Sequence, residues 1–267
     1  MPDSMYCDEP NELYTIRVAD KMYLNRFYED TIYNTIIRSP ITNRGKYEYS
    51  DLGFILMQHV VEKITGKKLD KYVDSVYYKP LALATLTFKP REKFAVTEII
   101  PTEQDTYFRH QLIRGDVHDP AAAMLGGVSG NAGLFSDAND LATLMQMMLN
   151  GGSYAGKSYL KPETIKLFTG RQYETNRRGL GWDRPVTNGT SSPASQFASD
   201  VAFGHTGFTG TCIWADPKYN LVYIFLSNRV YPSSANNKLL KMNVRTEIHD
   251  IIYRSFLEKY CKVTYQE

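Results

Sequence analysis

The chain has 267 residues, with 31 Lys and Arg against 29 Asp and Glu and a formal net charge of +2. That length has room for a sizeable core in one large or two small domains. The charge balance argues against a surface that tracks phosphates, so no nucleic-acid partner is expected. Hydrophobic residues at 43% and charged residues at 22% exclude a disordered chain. No apolar run is long enough to span a membrane. Cys7, Cys212 and Cys261 lie far apart and make neither a disulfide framework nor a metal-ligand spacing. The opening MPDSMYCDEP lacks the basic and apolar regions of a secretory signal.

Residues 1–20 are polar and give no clear element. Residues 21–38 carry Tyr, Leu and Ile at helical spacing, closed by Ser39-Pro40. Leu52, Ile55, Leu56, Val60 and Ile64 predict a buried helix over 51–65, with Ser50 as N-cap and Gly66 just past its end. A second helix is expected at about 69–78, before Pro80, and 79–118 reads as long loops with short strands. Residues 126–136 hold four glycines and must turn tightly or let another backbone approach. Ser136 is expected to cap a helix with Leu141, Leu144, Met145, Met148 and Leu149 on one face, stopped by Asn150-Gly151-Gly152. Pro162 starts a short helix, 162–169, and 184–199 is a polar loop.

Three β segments follow, at 201–206, 209–215 and 220–227, with Asp216-Pro217-Lys218 turning between the last two. A long helix over 234–259 closes the chain, with Leu239, Leu240, Val244, Ile248, Ile251, Ile252 and Phe256 inward. Strands beside helices without βαβ alternation predict an α+β fold with an antiparallel sheet.

Two short motifs can carry chemistry. Tyr49-Ser50-Asp51 stands at the mouth of a helix, where the positive local field favours a phenolate, and a nearby imidazolium would do the same. A tyrosine tuned this way can act as a general base towards a hydroxyl nucleophile. His205-Thr206-Gly207 lies on a strand leading into a turn. Gly207 lets a substrate lie against the strand, and the N–H of Phe208 can donate to an oxyanion. Taken singly, each also reads as structure: an apolar staple before a helix, a glycine at a tight bend. His110, Asp116, His118 and Asp119 match no metal template, so no metal or other cofactor is expected. Gly127-Val128-Ser129-Gly130-Asn131 falls one residue short of a nucleophile elbow and reads as a glycine turn.

From about Tyr47 onward the chain resembles the serine β-lactamase-like hydrolases: class C β-lactamases, penicillin-binding proteins with DD-peptidase activity, and related esterases. The segments that carry the resemblance are YSDLGFILMQHVVEKITGKKLDKYV, YYKPLAL, VHDPAAAMLGGVSGNAGLFSDANDLATLMQMMLNGG, GHTGFTGT and YNLVYIFLSNR. More narrowly, it is similar to the serine-hydrolase modules that follow family 3 glycoside hydrolases in some Bacteroidetes proteins. The resemblance implies three motifs. Ser-x-x-Lys supplies the acylated serine and its lysine activator. Tyr-x-Asn maps onto Tyr49 and Asp51, where a carboxylate replaces the usual amide. The third motif maps onto His205, Thr206 and Gly207, with Phe208 N–H as an oxyanion donor. His118, Asp119, Gly127 and Asn131 fall in a block at the rim of the cleft. The family is usually extracytoplasmic.

The first motif is missing upstream of Tyr49, and Ser158-Tyr159-Leu160-Lys161 is the one Ser-x-x-Lys in the chain, placed where a surface turn is expected. The expectation is one partial domain: a divergent segment 1–46, a mainly helical part 47–200, and strands plus a terminal helix 201–267. It would lack the first helix, the first strands and the serine helix. Three readings follow. The chain is the C-terminal portion of an acyl-transferring serine hydrolase, inactive alone. Alternatively, it is a non-catalytic module that binds cell-wall peptides or glycans. In the third reading, a second copy or the absent upstream segment completes the fold.

Overall fold

The computed structural model describes residues 5–186 and 192–263. The chain forms two compact units, Met1–Ser136 with Val230–Ser234, and Asp137–Arg229 with Ala235–Glu267.

The first unit opens with an antiparallel sheet of β1 (Tyr6–Cys7), β2 (Ile16–Ala19) and β3 (Met22–Leu24), with β3 in the middle. Residues 21–38 therefore do not make one helix. Lys21 takes φ 49°, which closes a tight β2–β3 turn, and α1 starts only at Tyr28 and runs to Arg38. Tyr and Leu at short spacing satisfy both periods, and full burial of Leu24 among Val18, Val117, Ala122 and Ala123 decides for the strand.

Helix α2 (Leu52–Thr65) ends where expected: Gly66 sits in the left-handed region at φ 66° and its N–H returns to the Glu62 carbonyl. A Cβ at Gly66 would meet nothing within 4 Å, so only backbone strain opposes it. Gly66→Ala is expected to cost about 1 kcal/mol, read as a lowered thermal midpoint. Asp51, rather than Ser50, is the N-cap, and the Ser50 hydroxyl accepts from Leu52 N–H at 3.3 Å.

The expected burial of α2 is corrected. Only Ile55 and Gln58 are buried, while Leu52, Phe54, Met57, Val60 and Ile64 are 41–79% exposed. Beside this face lies an apolar cavity of about 340 Å³, lined by residues that include Tyr28, Ile32, Leu52, Ile55 and Met124. Helix α3 (Leu69–Val73) continues into a π-helical turn, Asp74–Tyr78. The strands β4 (Glu103–Gln104) and β5 (Leu112–Ile113) pair, and α4 (Pro120–Met124) follows, capped by the Asp119 carboxylate on Ala122 N–H at 2.8 Å.

The second unit begins with α5 (Ala138–Leu149), capped by Asp137, one residue beyond the expected Ser136. A small hairpin, β6 (Ser153–Tyr154) and β7 (Lys157–Ser158), leads to α6 (Pro162–Thr169), which has the predicted bounds. Then β8 (Phe203–Thr206), β9 (Cys212–Asp216) and β10 (Leu221–Phe225) form an antiparallel sheet with β9 central. The registers pair Thr206 with Cys212 and Tyr223 with Trp214. Helix α5 packs against β9 and β10.

The terminal helix is split. A short α7 (Lys238–Lys241) precedes α8 (Val244–Val263), and Asn243 at φ 48° breaks the run between them. Its expected inner face also rotates. His249 and Tyr253 are buried and Ile252 packs on the Trp214 cluster, whereas Leu240, Ile248 and Ile251 are exposed. Polar partners decide this. Buried Asp216 accepts from Tyr253 Oη at 2.5 Å as well as from Ser199 at 2.8 and 2.6 Å, and that rotation of α8 brings the tyrosine hydroxyl to it. The Phe256 side chain lies outside the described residues. Among the described residues no helix is long and apolar enough to cross a membrane.

Candidate active site

In the first unit, Tyr49 and Asp51 stand at the entry to α2, with Tyr49 exposed. The Asn131 side chain lies on the Asp51 carboxylate's side and favours its charge, and Asp119 is near enough to act on it electrostatically. Partial burial and the Asp119 charge together push the Asp51 carboxyl above its usual range, against the Asn131 side chain. Asn131 is itself fixed, because the buried Ser129 hydroxyl donates to its Oδ1 at 2.6 Å. The amide that favours the Asp51 charge is thus held from behind by Ser129.

Local backbone explains how the loop reaches α2. Gly126 and Gly127 take φ 75° and 81°, and a Cβ at Gly130 would collide with the Phe54 carbonyl. Three of the expected residues, Asp51, Asp119 and Asn131, therefore meet. Gly127 lines a separate cavity of about 330 Å³ with Gln58 and Lys89.

His118 is engaged elsewhere. Its Nε2 lies 2.6 Å from Glu103 Oε2, and Glu103 Oε1 accepts from Ser234 N–H at 2.8 Å. Burial opposes the Glu103 charge, but the Ser234 and His118 bonds outweigh it and hold that carboxyl below its usual range. Behind them the buried Arg109 guanidinium donates to the carbonyls of Val117 and His118 at 2.6 and 2.7 Å and to Asp105 at 2.9 Å. Asp116 is taken by Arg17 and Arg91. Among the described residues no group of His, Cys, Asp and Glu is arranged to hold a metal ion.

In the second unit, His205 and Thr206 end β8, and Gly207–Thr211 turn back into β9. The turn is tied by Gly207 N–H to the Thr211 carbonyl at 2.8 Å. Arg229 Nε donates to the Phe208 carbonyl at 2.9 Å, and its guanidinium lies 4.6 Å from the Phe208 ring centre. Arg245, from α8, donates to the Thr211 carbonyl at 2.8 Å. A Cβ on Gly207 would collide with the Thr211 hydroxyl, so glycine is needed for the close approach. His205 Nε2 faces Arg178 Nη1 at 2.9 Å, and Nδ1 faces the Thr206 carbonyl at 2.7 Å. Ser158 is exposed on β7, and its hydroxyl points to the Leu160 carbonyl at 3.4 Å.

The sequence profile described as Beta-lactamase matches residues 24–244. The chain belongs to the β-lactamase family. Membership begins ahead of Tyr47, in β3. Among curated proteins, the N-acetylmuramyl-L-alanine amidase of Bacillus subtilis strain 168 is 39% identical over 244 residues, covering 86% of this chain and 53% of its own. A protein of Escherichia coli strain K12, provisionally named a D-alanyl-D-alanine carboxypeptidase, is 36% identical, covering 82% of this chain and 55% of its own. The chain thus spans about half the length of these β-lactamase-family relatives. Among solved structures, an engineered simvastatin synthase (LovD) of Aspergillus terreus superposes with TM-score 0.55 at 17% identity, over 87% of this chain and 61% of that one. A penicillin-binding protein homologue from Caulobacter crescentus gives 0.51 at 19%, over 73% and 58%. These two likenesses speak for the β-lactamase fold alone.

Sequence reasoning missed Arg178, Glu103, Arg109 and Arg245. Partners lie 27 residues away for Arg178 and His205, and 15 for Glu103 and His118, so no local spacing marks these pairs, whereas Arg109 and Asp105 stand four apart and could have been read as a pair.

Proposed function

We propose that this chain is the portion of a β-lactamase-like serine hydrolase that carries its Tyr49–Asp51 and His205–Phe208 elements. The reaction is acyl transfer to a serine and hydrolysis of the acyl-enzyme, on an amide, ester or β-lactam bond, with cell-wall peptide as the substrate class. Family membership over residues 24–244 carries this reading. The amidase and carboxypeptidase names of the relatives support the cell-wall substrate.

The nucleophilic serine and its lysine come from outside these 267 residues. Tyr49 moves the proton between the serine and the leaving group. Asp51, beside Asn131, takes the lysine ammonium, and the raised carboxyl is lowered when that cation arrives. The Phe208 N–H donates to the oxyanion of the tetrahedral intermediate. The segment that brings the serine, rather than a second copy of the chain, also covers the exposed apolar face of α2. On that face Leu52, Phe54, Met57, Val60 and Ile64 are exposed beside an apolar cavity, the kind of surface that marks an interaction site.

The test is a fusion that places a Ser-x-x-Lys helix from a β-lactamase-family relative, with the strands before it, ahead of this chain. A folded fusion is expected to turn over a D-alanyl peptide, ester or β-lactam reporter. Tight binding of muropeptides by that fusion without turnover would replace the hydrolase reading with a binding module.

A further inference from the structure

The ring of His205 has both nitrogens occupied, and its two partners differ in kind. Nδ1 lies 2.7 Å from the Thr206 carbonyl, and Nε2 lies 2.9 Å from Nη1 of Arg178. A carbonyl only accepts, so Nδ1 carries the hydrogen. A guanidinium only donates, so Nε2 presents its lone pair. An imidazolium would set an N–H of the ring against an N–H of the guanidinium.

Arg178 does not reach His205 by accident of a loose loop. Neighbouring Arg177 grips Asp183 through two bonds of 2.6 and 2.9 Å. Asp183 exchanges main-chain hydrogen bonds with Gly204 in β8, at 2.7 and 3.0 Å. Trp182 meets Phe203 edge to face at 5.1 Å. The segment 177–183 is thereby clamped along β8, one residue short of His205.

We propose that Arg178 is the positioning residue that locks His205 as a neutral imidazole with its hydrogen on Nδ1, and that Arg178, paired on its other side with the buried Asp183 carboxylate at 3.4 Å, puts a fixed guanidinium against the histidine of the motif in place of an imidazolium. The guanidinium keeps its charge at every working pH, which an imidazole does not. The guanidinium beside His205 is therefore permanent, with Asp183 shared between it and Arg177, and it is contributed by a residue outside the His-Thr-Gly motif. The catalytic meaning of that charge rests on the hydrolase reading above, but the test below reads the ring and not turnover.

The experiment is two-bond ¹H–¹⁵N correlation NMR of the ¹⁵N-labelled chain at neutral pH, with His205 assigned by its loss in His205→Gln. The expected spectrum of His205 is the single neutral Nδ1–H tautomer. Arg178→Gln, which keeps a donor but no charge, is expected to retain it. Arg178→Glu puts an acceptor opposite Nε2 and is expected to give a ring protonated on both nitrogens. A native spectrum showing the Nε2–H tautomer or an imidazolium would overturn the proposal. So would an Arg178→Glu spectrum, from a chain folded by circular dichroism, that matches the native one. If Arg178→Glu does not fold, the native and Arg178→Gln spectra decide.

Discussion

Arg109→Ala is expected to destabilise the first unit by about 3–5 kcal/mol, the range for removing one partner of a buried ion pair. The Arg109 side chain is 1% exposed and that of Asp105 7%. Its loss strands the Asp105 carboxylate with the N–H groups of Tyr107 and Phe108, and leaves the Val117 and His118 carbonyls without their donor. Burial opposes the Asp105 charge, but the bonds from Phe108, Arg109 and Tyr107 outweigh it and bring that carboxyl down to about 2. The sign follows. A depressed carboxyl adds stability that is complete above the unfolded value of 3.8 and is lost as pH falls through about 2. Urea unfolding checks both parts. Arg109→Lys should recover less than half of the loss, because one ammonium cannot serve a carboxylate and two carbonyls at once. A change under about 1 kcal/mol in Arg109→Ala would mean that the clamp behind His118 and Asp119 carries no stability.

The second unit is expected to lose about 3 kcal/mol between pH 6.5 and 4 through His249 alone. Burial lowers the His249 pKa to about 4 in spite of the Asp250 and Asp216 charges. Below pH 6.5 the unfolded chain takes up a proton that the folded chain refuses until about pH 4, so stability falls across that window. The ring is 2% exposed, stacks on Tyr223 at 4.2 Å, and accepts the Ser195 N–H at Nδ1, 3.2 Å away. Protonation would turn that acceptor into a donor facing a donor. Thermal unfolding at pH 7 and 4.5 measures the drop, and His249→Asn should flatten it. An unchanged slope in that variant would assign the acid loss to other groups.

Elements with local punctuation were legible in the sequence. Pro162 opened α6, Gly66 closed α2, and Asp216-Pro217-Lys218 marked the turn from β9 to β10. The β1–β3 sheet was not, because short strands of two to four residues carry no period and are settled by burial of Leu24. The α2 face was misjudged because apolar spacing reports what can be buried, not what covers it. Asp51, Asp119 and Asn131 were each singled out in separate motifs, but that Asp119 and Asn131 act on the Asp51 carboxyl came only with the fold. The Arg178 partner of His205 is reached through the fold of the second unit and leaves no trace in spacing.

The proposed function puts the acylated serine outside these 267 residues. Its most direct measurement is covalent labelling with a fluorophosphonate and a fluorescent penicillin, followed by peptide mapping. This chain alone is expected to take no label, and the serine-bearing fusion is expected to be labelled on a serine of the added segment. A label mapped to any serine of this chain, Ser129 or Ser158 included, would contradict it.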